Sequence, residues 1–274
     1  MKQSRVLEPL SPAQSPGATV VDAQQRIVLF GDSHSYAIQR AIAKRIRKGR
    51  IVPLSVHRLR KEKNGKEIGD TTLESFLDII RELDEEDVVL SMIGGNQHAV
   101  FSTIQHPQPF DFFDPNGFSP PETGSQIVPY RAVEDVFSDG LRKGDGRSLQ
   151  AMRRATRAQM FHILPPPPKR DNQFIERHHE SLFANEGIER RGVSAPELRL
   201  KFWLLQTRIL EELCAGLGIE VLRPPPGTTD EAGFLLPDYY ANDATHANHV
   251  YGELVLRQVE TRYRPDQVSG RVKA

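Results

Sequence analysis

The sequence predicts an α/β fold built on a mostly parallel five-stranded sheet. Five short apolar runs alternate with amphipathic stretches of helical period. Short strands separated by helices make βαβ units, and these pair in parallel. With 274 residues, 38% of them hydrophobic and 26% charged, the chain also has the length and composition to bury one substantial core.

The elements follow in order. Residues 1–25 are rich in Pro, Ser and Gln without periodicity, and are expected to form a flexible lead-in. A single domain is expected over 26–265, with a tail at 266–274. Ile27–Phe30 is the first strand and runs into Gly31-Asp32-Ser33-His34-Ser35. A helix follows, with Ile38, Ile42 and Ile46 on one face and Gly49 as its stop. Ile51–Val56 reads as the second strand and Lys61–Asp70 as a polar loop. Thr71–Leu83 places Leu73, Phe76, Leu77, Ile80 and Leu83 on one helical face behind a threonine N-cap. Val88–Ile93 is the third strand, Ser148–Gln159 a helix, and Met160–Leu164 the fourth strand, stopped by four prolines. Pro196–Leu217 is a long helix with proline in its first turn, Ile219–Leu222 the fifth strand, and His246–Tyr263 the closing helix. Residues 101–147 and 165–195 exceed ordinary connections and are expected to be insertions on the same core.

Composition narrows the function. The 36 basic and 36 acidic side chains cancel, which argues against a dedicated nucleic-acid binder. No apolar run approaches the ~18 residues of a membrane span. The N-terminus lacks the apolar stretch of a secretory signal, and the single cysteine, Cys214, excludes an intrachain disulfide. A cytoplasmic protein without a membrane span is the expectation.

In an open parallel sheet, ligands bind beyond the carboxyl ends of the strands, so the residues after each strand are the candidates for chemistry. Ser33 follows the first strand at a helix N-terminus, where its own amide can stabilise a developing oxyanion. Gly69 precedes the second helix, and Asn96, in Gly94-Gly95-Asn96-Gln97, follows the third strand with a side-chain amide to donate. Asp243-Ala244-Thr245-His246 spaces a carboxylate and an imidazole three residues apart, on one side of a turn. A carboxylate so placed holds the imidazole in one tautomer, with the other nitrogen turned to a nucleophile. Taken singly, each motif also fits a plain structural part. Ser33 or Asp243 can be a helix cap, Gly69 a loop glycine and Asn96 a turn residue.

Together, and in this chain order, the four motifs resemble the SGNH hydrolases, also called the GDSL esterase/lipase family. Gly31-Asp32-Ser33-His34 is similar to the first family block and Gly69-Asp70-Thr71-Thr72 to the second. Gly94-Gly95-Asn96 resembles the third, and Asp243-Ala244-Thr245-His246 the fifth. The departures are His34 where many relatives carry leucine, and Gln97 where the third block usually ends in aspartate. The G-x-S-x-G elbow of ordinary α/β-hydrolases is not matched, since Ser35 stands in its last position.

The resemblance implies a flavodoxin-like three-layer α/β/α sandwich and hydrolysis of a carboxylic ester, with no metal or organic cofactor. It assigns Ser33 as nucleophile, His246 as base and Asp243 as its orienting acid, with an oxyanion hole from Ser33, Gly69 and Asn96. Asp32 and His34 are expected beside the substrate. Phe101, Phe112 and Phe113, in a stretch crowded with aromatic rings just past Asn96, are expected to line an acyl or alcohol pocket, or else to form a small satellite core. The expected substrate is a small-molecule or glycan ester, such as a short O-acyl group on a carbohydrate. Transfer of the acyl group to a sugar hydroxyl, or a non-catalytic binding protein on the same fold, are the rival readings. His178-His179 and the His246/His249 pair lack the ligand set of a metal centre.

Overall fold

Strand β1, Ile27–Gly31, is buried along its whole length, as expected of a central strand covered on both faces. The computed structural model describes residues 25–63, 65–179 and 181–263; the expected tail at 266–274 and all but Gln25 of the expected lead-in lie outside them. After β1 come a 3-10 turn at Ser33–Ser35, helix α1 at Tyr36–Arg47 and strand β2 at Leu54–Arg58. Two short strands, β3 (Lys61–Lys63) and β4 (Lys66–Ile68), precede helix α2 (Leu73–Arg81) and strand β5 (Val88–Met92). Helix α3 (Gln97–Ser102), the two-residue strands β6 (Phe110–Asp111) and β7 (Gln126–Ile127), and helices α4 (Tyr130–Leu141) and α5 (Arg147–Ala155) follow. Strand β8 (Gln159–Ile163) leads to helices α6 (Asn172–Arg177), α7 (Ser181–Asn185), α8 (Ile188–Arg191) and α9 (Pro196–Gly216). Strand β9 (Glu220–Leu222) and helix α10 (His249–Tyr263) complete the order.

The five-stranded sheet has the order β2-β1-β5-β8-β9, and each of its pairings is parallel. Alternation along β1 sorts the core into two layers. Ile27 and Leu29 pack with Ile38 and Ile42 of α1 and with Tyr251, Val255 and Val259 of α10. Val28 and Phe30 pack with Phe76 and Ile80 of α2 and with Leu149 and Met152 of α5. Each of these fully buried side chains contributes roughly 1.5–3 kcal/mol of transfer free energy. The molecule is therefore a three-layer α/β/α sandwich. Chain order reverses direction between β1 and β5, the switch point where doubly wound sheets form their cleft.

Several expected boundaries shift, each for a physical reason. The second strand begins at Leu54, not Ile51, because Pro53 has no N–H to donate to a ladder, and Ile51 is 89% exposed. The expected polar loop after it contains the antiparallel β3–β4 pair. The helix expected to reach Gln159 ends at Ala155, where Thr156 turns to extended backbone and frees Gln159 to pair with Val88. The last helix starts at His249, because the Asn248 side-chain oxygen accepts from the Val250 amide at 2.8 Å and the Tyr251 amide at 3.3 Å; His246 is thereby left in the preceding loop. Both expected insertions carry helices of their own, α4 in the first and α6 to α8 in the second. Among the described residues, no helix is long and apolar enough to cross a membrane.

Candidate active site

The turn after β1 is fixed by Asp32. Its amide donates to the Met92 carbonyl at 2.9 Å, and its Oδ1 accepts from the His34 amide at 3.0 Å, capping the Ser33–Ser35 turn. Oδ2 accepts from the Gly95 amide at 3.2 Å and from Asn96 Nδ2 at 3.1 Å. One carboxylate thus ties the turn after β1 to the turn after β5. Burial pushes this carboxyl up from its ordinary range, while the His34 and Gly95 amides and the charge of Lys61 pull it back down.

Gly69 sits with φ +84°, in the left-handed region that L side chains rarely adopt. A β-carbon there would lie 2.3 Å from the Leu59 carbonyl oxygen, so only glycine lets this loop close onto the end of β2. The same loop is locked by Asp70, whose Oδ1 accepts from the Arg58 amide at 2.8 Å and the Thr71 hydroxyl at 2.7 Å.

At the C-terminal motif, His246 Nδ1 and Asp243 Oδ2 lie 3.1 Å apart. Asp243 Oδ1 accepts from the His246 amide at 2.7 Å and the Thr245 amide at 3.1 Å. Burial alone would raise the Asp243 carboxyl. The hydrogen bond and charge of His246, with the charge of Lys169, outweigh it and hold the carboxyl at about 2. The turn is closed by a hydrogen bond from the Ala241 amide to the His246 carbonyl at 3.0 Å.

Ser33, Gly69, Asn96 and His246, which stand far apart in the chain, line one cavity of about 290 Å³, together with Asp32 and Thr245. Ala99 and Val100 of α3 and Phe183 of α7 add an apolar surface; Arg58, Leu59, Lys61 and Ile68 complete the lining. His34 does not line the cavity. It is buried behind the turn, with its ring centroid 4.8 Å from that of His246. The aromatic stretch is likewise elsewhere. Phe112 is buried against α4 and α9, Phe101 packs on Phe137 and Phe202 at 4.9 and 6.2 Å, and Phe113 is 62% exposed. Phe112 and Phe101 are drawn from the cavity by the rings and apolar side chains of α4 and α9, Phe113 faces solvent, and the aromatic ring that lines the cavity is Phe183.

Lys169 is a residue behind the site that sequence reasoning missed, as it missed Arg58, Lys61 and Phe183 in the cavity lining. The Lys169 side chain is fully buried. Its Nζ donates to the Ala241 carbonyl at 2.7 Å and to the Asp243 carbonyl, and it lies 3.5 Å from Asp243 Oδ1. It also stands over the rings of Phe174 and Tyr240, at 4.8 and 5.0 Å. The available signal was a lone lysine directly after the four prolines that stop β8, at the carboxyl edge where sites form.

No family model matches the chain, and no curated protein does. Among solved structures it is similar to a GDSL-like lipase from Bacteroides thetaiotaomicron, with 14% identity over 90% of this chain and 92% of that one, at a TM-score of 0.46. It is also similar to an extracellular lipase from Streptomyces rimosus, with 11% identity over 86% of this chain and 99% of that one, at a TM-score of 0.43.

Proposed function

We propose that the chain is a serine ester hydrolase acting through a Ser33 acyl-enzyme. One juxtaposition carries the reading: Ser33 and His246 line the same cavity, and Asp243 holds the Nδ1 face of that imidazole. With Nδ1–H donated to the carboxylate, Nε2 is the basic nitrogen. It takes the Ser33 proton as Oγ bonds to the ester carbonyl carbon, and Asp243 stabilises the resulting imidazolium. The carbonyl oxygen gains the charge and is met by the Ser33 and Gly69 amides and the Asn96 side chain. Asn96 Nδ2 carries two hydrogens; one goes to Asp32, which aims the other. As the tetrahedral species collapses, His246 protonates the departing alcohol. Water then enters, loses a proton to His246 and attacks the acyl carbon, and Ser33 Oγ leaves with that proton. The net change is ester plus water to acid plus alcohol. A cavity near 290 Å³ is at the small end for ligand pockets, which favours a short acyl group.

Labelling with a fluorophosphonate probe, read by mass spectrometry, tests the nucleophile directly. The probe is expected on Ser33 and absent from Ser33→Ala, which also loses turnover of 4-nitrophenyl acetate. Labelling of Ser33→Ala at the wild-type rate overturns the reading. Asp243→Asn is expected to lose up to about 10⁴-fold in turnover through the wrong tautomer.

A further inference from the structure

We infer that the ester this cavity takes carries an anionic group (a carboxylate, sulfate or phosphate) seated against Arg58 and Lys61. The inference rests on the esterase reading above and adds the substrate class to it.

Arg58 closes β2 and pairs in register with Gly31, the residue that ends the nucleophile strand. Its backbone is pinned by Asp70, and its guanidinium lies over the Tyr36 ring at 5.1 Å, so the cation is held in place. Its Nε is buried and has no hydrogen-bond acceptor among the described residues. Burying a charged donor without an acceptor costs its full desolvation, so such groups call for a partner. Lys61 lines the same cavity from β3, and among the described residues neither cation is paired with a carboxylate.

Asp32 and Asp70 are otherwise engaged. Asp32 accepts from three N–H groups, and Asp70 Oδ1 from the Arg58 amide and the Thr71 hydroxyl. The charge of Lys61 acts on the buried carboxyl of Asp32 and on the half-buried carboxyl of Asp145. A planar guanidinium with unused donors matches the oxygens of a carboxylate, sulfate or phosphate. The apolar Ala99, Val100 and Phe183 leave room for the uncharged part of the substrate.

The test uses the full chain and two ester pairs: phenyl acetate with and without a para-sulfonate, and 4-nitrophenyl benzoate with and without a para-sulfonate on the acyl ring. Each kcat/KM is divided by the hydroxide-catalysed rate of the same ester, which removes intrinsic reactivity. At least tenfold preference for the sulfonated member is expected in one pair. That ratio should fall toward one in Arg58→Gln and in Lys61→Gln, be partly retained in Arg58→Lys, and decline with added salt. Lys61 is exposed, so Lys61→Gln carries the test if Arg58→Gln does not fold. Ratios near one in both pairs overturn the inference, as does an equal loss on both members in the variants, which marks a structural or oxyanion role. Absence of any turnover together with absence of Ser33 labelling removes the esterase reading, and this inference with it.

Discussion

At the scale of single residues, two side chains separate chemistry from support. Asn96 bridges Asp32 and the cavity. In the proposed mechanism it is an oxyanion donor, so Asn96→Ala is expected to lose about 10²–10³ in turnover, with a far smaller change in urea midpoint. Lys169 is a positioning residue, since it touches Asp243 rather than the cavity. A cation beside Asp243 opposes a second cation on His246. Lys169→Met therefore raises the imidazole's protonation point, and activity that needs a neutral imidazole fails at higher pH as acid is added. The acid limb of kcat/KM is expected to move up by about one pH unit; an unmoved limb with only a lower Tm marks Lys169 as purely structural. Ser33, Gly69, Asn96, Asp243 and His246 were legible as candidates in the sequence because each belongs to a local motif with a chemical reason for its residue types. Lys169 was not, because its meaning lies in carbonyls more than 70 positions away.

At the scale of elements, the histidine of the proposed triad depends on how α10 is seated. Gly252 lets α10 approach α1 so closely that a β-carbon would fall 2.2 Å from the Ala37 carbonyl oxygen. Gly252→Ala must push the helices apart. A loss of about 1–3 kcal/mol in urea denaturation is expected, with reduced ester turnover, because the loop holding Asp243 and His246 leads directly into α10. Wild-type turnover in a destabilised Gly252→Ala would show that the loop is held independently of the helix. The main strands and helices were readable from apolar periodicity, and most boundary errors fell where one residue breaks a pattern, as at Pro53 and Asn248. For the aromatic stretch from Phe101 to Phe118 the sequence left pocket lining and satellite core both open, because crowding along the chain does not say which surface the rings cover. The long apolar face of α9 decides that.

At the scale of the whole molecule, buried ionisable groups set the response to acid. His98 and His162 are fully buried and burial lowers both, to about 3 and about 4; His162 Nδ1 lies 2.7 Å from Ser91 Oγ inside the sheet. Below the unfolded histidine value near 6.5, the unfolded chain binds protons that the folded chain refuses, so stability falls by up to about 1.4 kcal/mol per pH unit for each group. Asp243 acts in a lower window. Its folded carboxyl is depressed to about 2, so its contribution is present above the unfolded value near 3.9 and is lost as pH falls toward 2. Urea midpoints at pH 7.5, 6.5, 5.5 and 4.5 are expected to fall slightly over the first interval and more steeply thereafter; a midpoint unchanged down to pH 4.5 contradicts the buried neutral histidines. The sequence by itself determined the alternation of strands and helices, and with it the carboxyl edge where the motifs lie, because periodicity and turn chemistry act over a few neighbouring residues. Only the tertiary structure decided that Asp32 couples two of those motifs, that Lys169 backs Asp243, and that Arg58, Lys61 and Phe183 rather than the phenylalanine stretch complete the cavity. Those contacts join residues distant in the chain, and their free energies depend on burial and distance, which no local pattern encodes.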